Sequence, residues 1–510
     1  MWRWAAAVSF ANLLYLPVWA ALLDPSYQFY AQAPPPRLSY AAALLGVAVL
    51  TVLIAGLLVL AEHRRWPLRA ASRAILLVLT LVLVSALLLE LGRLYPAQLG
   101  PVASLLLFGL AVLLLVGWIA FPGPSVRGMA WLLVVFFPFA MLTLGQALWG
   151  AVRPARPAYA AKSPSAPVRQ RAPEVRVLWL VMDEVDFRIA FAARPPGFEL
   201  PEFDRLRRES FFAERAYPPA RHSMPALLTG VEVLDAWPRG PDELELLVAG
   251  GGITRWSAAP DVFSRTRELG VNTGLLGFFL PYCRVLGDRV TRCSARASAL
   301  GDYWNEASFT ETLLIQAWLL GRTAPGIGGR ADSLFSVWPR RKPRALRDFL
   351  ALREEAVSFS TDPALGLILL HLPVPHPPAI FDARRGEWST RESTGYLDNL
   401  VLADRTLGEL RLAMERAGLW ESTVVLFTSD HALRIGFWKA RAPGELAGLE
   451  LTEDARVPFL LKLAHPAEPL TYGKEFKTLV TSDLLLALLR GELRTGEDVA
   501  AWLDPRATPR

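Results

Sequence analysis

Five apolar stretches, near 4–22, 39–61, 71–92, 100–121 and 129–149, take up most of the first 150 residues. Each approaches the roughly 20 residues a helix needs to cross a bilayer. Inside hydrocarbon a backbone can satisfy its own polar groups only as a helix or a closed barrel. The segment 1–150 is therefore expected to be a transmembrane anchor, an N-terminal five-helix bundle. The first stretch is the weakest, because Asn12 and Pro17 interrupt it. Alone it would also read as a cleaved signal peptide, but four further spans follow, which favours an anchor. Arginine in the short loops sets the orientation. Arg64, Arg65 and Arg69 lie between spans two and three, with Arg73 at the far edge, Arg127 lies between four and five, and Arg3 precedes the first. Loops 23–38 and 93–99 hold one Arg each. This pattern places the N-terminus inside and the C-terminal part extracytoplasmic, in a multi-pass protein of the inner (plasma) membrane.

Charge divides along the same line. Residues 1–150 contain eight Arg, no Lys and three acids, Asp24, Glu62 and Glu90, leaving 46 basic against 45 acidic residues in 151–510. The excess of +6 over the whole chain thus belongs mainly to the anchor. The balanced remainder argues against a basic surface built to hold nucleic acid. Residues 151–174, with Pro154, Pro157, Pro164, Pro167 and Pro173, read as a semi-extended, solvated linker. The segment 175–510 is long enough for one large α/β domain with a substantial core. Its two cysteines, Cys283 and Cys293, suit a hairpin clip on the outer side of a membrane. Two buried thiols are the alternative.

Strand candidates in this part are 175–182, 271–278, 365–371, 423–429 and 457–463. Between them lie helical patterns such as 396–418, where Leu397, Leu400, Val401, Leu407, Leu410 and Met414 recur near helical spacing. Strands alternating with helices predict a mostly parallel central sheet covered on both faces. Three strands end in metal-ligand side chains. Arg176–Met182 runs into Asp183-Glu184, Val424–Phe427 into Thr428-Ser429-Asp430-His431, and Leu365–Leu370 into His371 and then His376. Carboxyl ends of parallel strands are where α/β folds place their chemistry, so one polar cluster built from distant segments is expected. Several neighbours have plainer readings. Asp186 suits a helix-start acid, His371 a satisfied buried imidazole, and Lys439 a surface lysine. His222 is open between a loop residue and a site residue. Trp179 and Phe437 read as core.

These segments, with Ser223-Met224-Pro225-Ala226-Leu227-Leu228-Thr229-Gly230 and the helix start Tyr396-Leu397-Asp398-Asn399, occur in an order that resembles the sulfatase branch of the alkaline phosphatase superfamily. The likeness covers roughly 170–465. The anchor adds a topological resemblance to lipoteichoic acid synthases, lipid A phosphoethanolamine transferases and membrane-bound sulfatase-like proteins. The resemblance implies metal ligands at Asp183, Glu184, Asp430 and His431. It implies a substrate or leaving-group contact at His376 and a lysine near the transferred group at Lys439. Arg456, in Arg456-Val457-Pro458, stands where transferases carry another substrate histidine. Carboxylates with imidazole suit zinc or manganese better than calcium. The implied partners are the membrane lipid and an anionic lipid or glycan bearing sulfate or phosphate. In the family the nucleophile lies five residues before Pro225, which here is Ala220. Alanine has nothing to attack with. Ser223 is the nearest hydroxyl. The readings are then a metal-binding domain that recognises or acts on sulfate or phosphate esters, a hydrolase or transferase using Ser223 or metal-bound water, or a non-catalytic lipid sensor.

Overall fold

Two prolines decide how the apolar N-terminal segments run. A proline inside a helix lacks the N–H and its ring meets the carbonyl four residues back. At Pro17 the segment accordingly breaks into Trp2–Leu14 and Leu16–Leu23, bent by 62°. At Pro138 it breaks into Pro122–Val135 and Phe137–Val152, bent by 55°. Each proline falls in the first turn of the second helix, where its missing donor is harmless. In this computed structural model the described residues are 1–94, 109, 112–113, 115–168, 175–219, 222–297, 307–323, 337–391, 393–449, 452–464 and 468–507.

The chain forms two compact units, 1–28 with 33–158 and 300–337, and 29–32 with 159–299 and 338–510. In the first unit, Arg37–Leu60 and Trp66–Leu94 are continuous helices. Among the described residues two helices are long and apolar enough to cross a membrane, or up to four spans if each bent pair crosses as one. The expected span 100–121 lies largely outside the described residues. Small side chains, Ala6, Ala7, Ala11 and Ala43, are buried among Phe10, Tyr40 and Val47, the close approach that apolar helices use to pack in lipid. Arg3 and Arg127 both pair with Glu62, the latter at 3.0 Å, so the starts of two apolar segments and the end of a third gather at one end. The unit also takes in the helix Phe309–Thr323, which falls within the range 175–510 read as the soluble domain. There Gln316 Nε2 donates to the Ser39 carbonyl at 2.9 Å and Trp318 is buried. Its Thr-Glu-Thr and Gln-Ala-Trp polarity hid it from a search for spans.

The second unit is built on an eight-stranded sheet. Its strands in chain order are β1 Arg176–Met182, β2 Phe211–Ala213, β3 Thr273–Phe279, β4 Arg292–Ala297, β5 Leu367–Leu372, β6 Thr423–Ser429, β7 Phe459–Lys462 and β8 Leu470–Tyr472. Across the sheet they run β8-β2-β7-β6-β1-β5-β3-β4. The five from β6 to β4 are parallel; β7 runs antiparallel to both neighbours. The sheet is thus mostly parallel, and all five expected strands are in it.

Alternation along the central strands explains their unbroken apolar runs. Val177, Trp179, Val181, Leu367, Leu369, Val424 and Leu426 enter one core, while Leu178, Leu180, Met182, Ile368, Leu370, Val425 and Phe427 enter another on the opposite face. The strands that sequence reading missed are very short or lie at an edge of the sheet. β4, Arg292-Cys-Ser-Ala-Arg-Ala, is only half-buried and carries no apolar run. Cys283 and Cys293 form a disulfide that ties the short helix Tyr282–Leu286, which follows β3, to β4. The helix Tyr396–Arg416 lies where 396–418 was expected.

Candidate metal centre

Register brings the site together. In the parallel pairing of β1 with β6, Met182 stands opposite Ser429, so the next residues, Asp183 and Asp430, leave adjacent strands side by side. The two strand ends are then bolted to each other. Ser429 Oγ donates to the Met182 carbonyl at 2.7 Å and accepts from Val185 N–H at 2.9 Å. Asp430 Oδ1 accepts the backbone N–H of His431 at 2.8 Å and of Glu184 at 3.3 Å. Those bonds aim the other oxygen, Oδ2, at His431 Nε2, 3.4 Å away.

Asp183, Asp430 and His431 each offer one ligand atom, all within 4.8 Å of one another. His431 Nδ1 lies 3.0 Å from the Ala432 carbonyl, which can only accept, so Nδ1 carries the proton and Nε2 presents its lone pair. That lone pair faces Asp183 Oδ1 at 3.6 Å as well as Asp430. Asp183 Oδ1 is buried and has no hydrogen-bond partner among the described residues. Three ligand-type atoms thus face one small volume. A cation is what such a set accommodates, and the orienting bond to Nδ1 is the second layer that metal-bound histidines use. Burial first, then the charges of Asp430 and Glu184, push the Asp183 carboxyl well above the usual carboxylate range. The residues present therefore fit a divalent ion.

Glu184, expected as a fourth ligand, is committed elsewhere. Its Oε1 accepts from Arg434 Nε at 2.5 Å and its Oε2 from Trp438 Nε1 at 2.6 Å, and the side chain is fully buried. The reason is backbone geometry. Glu184 sits at φ +65°, off the line of β1, held there by its N–H bond to Asp430 and by Tyr396 Oη, which donates to its carbonyl at 2.7 Å. The same phenol accepts from Asp186 N–H, and Asp186 Oδ1 accepts from Ile189 N–H at 2.8 Å, the helix-start role read for that acid.

His376 reaches the same region. Its N–H donates to the Asp183 carbonyl at 3.1 Å, and its ring stands edge-on to Trp438 with Nε2 3.5 Å from Arg434. Asn399, from the Tyr396-Leu397-Asp398-Asn399 motif, holds that loop by donating to the carbonyls of His376 and Pro378, each at 3.2 Å. Burial pulls the His376 imidazole below its ordinary pKa, the adjacent Glu184 notwithstanding. His371 is fully enclosed, its Nδ1 2.8 Å from Tyr282 Oη, and burial lowers it to about 4. Its Nε2 makes no hydrogen bond among the described residues, so the satisfied imidazole read from the sequence is only half satisfied.

Lys439 is exposed on the helix Ile435–Arg441, and no ion pair joins it to the carboxylates among the described residues. Phe437, on the same helix, is exposed rather than core, whereas Trp179 is buried as read. Arg456 pairs with Asp454 at 2.7 Å. His222 Nε2 lies 3.2 Å from Asp235. Ser223 is buried at the start of Ser223–Thr229, whereas Ala220 lies outside the described residues. Sequence reasoning missed Arg434, Trp438 and Tyr282. The one available signal was that Arg434 and Trp438 follow the Asp430-His431 pair closely enough to turn back over it.

No family model and no curated protein matches this sequence. Solved structures similar to the chain include a sulfatase from Pseudoalteromonas sp., at 17% identity over 63% of this chain and 69% of that one, TM-score 0.40. A protein of glycosaminoglycan metabolism in Bacteroides thetaiotaomicron is similar at 17% identity over 66% and 83%, TM-score 0.44. An alkaline phosphatase superfamily protein from Vibrio parahaemolyticus is similar at 13% identity over 64% and 68%, TM-score 0.36. Among these neighbours are a sulfatase and a member of the alkaline phosphatase superfamily.

Proposed function

We propose that the second unit holds a divalent ion on Asp183, Asp430 and His431 and recognises a sulfate or phosphate ester of an envelope lipid or glycan. The observation that carries this reading is the buried, unpartnered Asp183 Oδ1 facing the lone pair of His431 Nε2 beside Asp430. Three protein ligands would be the number that catalytic rather than structural zinc uses. The imidazole among the ligands favours zinc or manganese over calcium. When bound, the ion supplies Lewis acidity toward an ester oxygen. The chain itself does the rest. Ala432 keeps the His431 proton on Nδ1, Asp430 is oriented by two backbone N–H groups, and His376 stands ready to contact the ester or its leaving oxygen. The apolar first unit is the anchor, and the arginine pattern puts the ester site outside the cytoplasm.

With alanine at position 220, turnover through a covalent intermediate is expected to be absent or very weak. The test is metal content of the purified protein, followed by nitrophenol release from sulfate and phosphate esters by native protein, Ala220→Thr and Ser223→Ala. Stoichiometric zinc or manganese with equally poor turnover in native protein and Ser223→Ala is the expected result. A native burst that Ser223→Ala abolishes makes Ser223 the nucleophile and overturns the non-covalent reading. An exported reporter fused after Arg510 should be active, and a cytoplasmic one silent.

A further inference from the structure

We infer that Arg434, aimed by the buried carboxylate of Glu184, is the anion grip of this site, with His376 as its second donor. The inference rests on the function proposed above and names how the charged end of the ester is held. It starts from the commitment of Glu184. A carboxylate with no solvent exposure needs a cationic or hydrogen-bonding partner on each oxygen. Here the partners are Arg434 Nε and Trp438 Nε1. Both come from the segment that follows Asp430 and His431, so one short stretch supplies two ligands and then the arginine.

A guanidinium has five N–H donors in a rigid fork, and Glu184 takes the one on Nε. The side chain is not sealed in: Arg434 is 45% exposed. Phe437 lies under its plane, 4.9 Å from the ring centre. That ring and the Glu184 bond leave the fork little freedom to swing. Its terminal NH2 faces His376 Nε2 at 3.5 Å, too far for a strong hydrogen bond. An anionic oxygen lodged beside both can accept from the guanidinium and from an Nε2-protonated imidazole. A tetrahedral oxyanion, sulfate or phosphate, has the oxygen count to meet this pair and a metal at once.

The grip is also beside the metal group. Glu184 Oε1, which holds Arg434, lies 3.9 Å from His431 Nδ1, and Glu184 N–H is bonded to Asp430. Glu184 thereby exchanges the ligand role implied by the sequence resemblance for a positioning role. Its left-handed backbone is what turns the carboxylate toward Arg434.

Full-length protein loaded with zinc, with inorganic phosphate as probe, provides the test. Phosphate affinity is measured by calorimetry and zinc content by mass spectrometry on the same samples. Arg434→Gln is expected to weaken phosphate binding about tenfold or more with zinc content unchanged. Arg434→Lys should fall between, since it keeps the charge without the fork. Glu184→Gln should also weaken phosphate and still keep its zinc. Native phosphate affinity in Arg434→Gln overturns the inference, as does zinc lost from Glu184→Gln, which would make Glu184 a ligand. Failure of native protein to bind phosphate overturns it too. If native protein binds no zinc, the metal reading falls, and Arg434 is judged by phosphate binding to the zinc-free protein.

Discussion

Asp183 and Glu184 are consecutive carboxylates, both buried, yet they belong to opposite kinds of environment. Around Asp183, Asp430 and His431 the facing atoms are all of metal-ligand type, and the buried Asp183 Oδ1 makes no hydrogen bond among the described residues. Around Glu184 both oxygens are matched, by the Arg434 cation on one and the Trp438 N–H on the other. Burying an ion costs several kcal/mol unless it is paired, so the first set carries a desolvation cost that the second has offset. A cation offsets it. The difference teaches that a carboxylate's role is set by what faces it, not by its place in a motif.

The largest effect expected from this contrast is on metal binding. Asp430→Ala or His431→Ala should lower zinc affinity by at least about a hundredfold, since even orienting residues around a metal are worth about that much. Stoichiometric zinc surviving in the double variant would break the comparison outright. A smaller effect separates the two carboxylates by stability. In metal-free protein Glu184→Gln should cost about 2 kcal/mol in urea unfolding. That is less than the usual loss for half a buried pair, because Arg434 is partly solvated. Asp183→Asn, which removes a buried carboxyl crowded by Asp430 and Glu184, should leave metal-free stability unchanged or raise it. If both substitutions destabilise alike, the contrast between the pair is wrong.

The smallest effect concerns His371. Its folded pKa of about 4 lies below the ordinary imidazole value near 6.5. Between those values the unfolded chain binds a proton that the folded chain refuses, so stability falls as pH falls. From pH 6.5 to 5 the loss attributable to this group is about 2 kcal/mol at most. His371→Gln should flatten the stability profile over that interval. An unchanged profile would mean that the imidazole reaches solvent or takes the proton when folded.

Much of the frame was legible because it depends on local pattern. Continuous apolar runs such as Val424–Phe427 and Leu178–Met182 read as strands covered on both faces, and they are central parallel strands. Asp183, Asp430 and His431 were legible because strand ends are short-range features. The helix Phe309–Thr323 was not, because its polar residues are satisfied by partners such as the Ser39 carbonyl, 277 residues away in sequence. Edge strands such as β4 were not either, since they lack the apolar run that marks a buried strand.

By itself the sequence determined an apolar N-terminal segment, a mostly parallel α/β unit and a polar cluster at its strand ends. These follow from the length, periodicity and termination of apolar runs, which need no knowledge of neighbours. Only the tertiary structure decided that Met182 and Ser429 stand in register, so that Asp183 and Asp430 share one space. Only it turned Glu184 away through a left-handed backbone and brought Arg434 from 250 residues on to meet it. Such choices depend on which atoms face each other after the chain has packed, and no single segment carries that information.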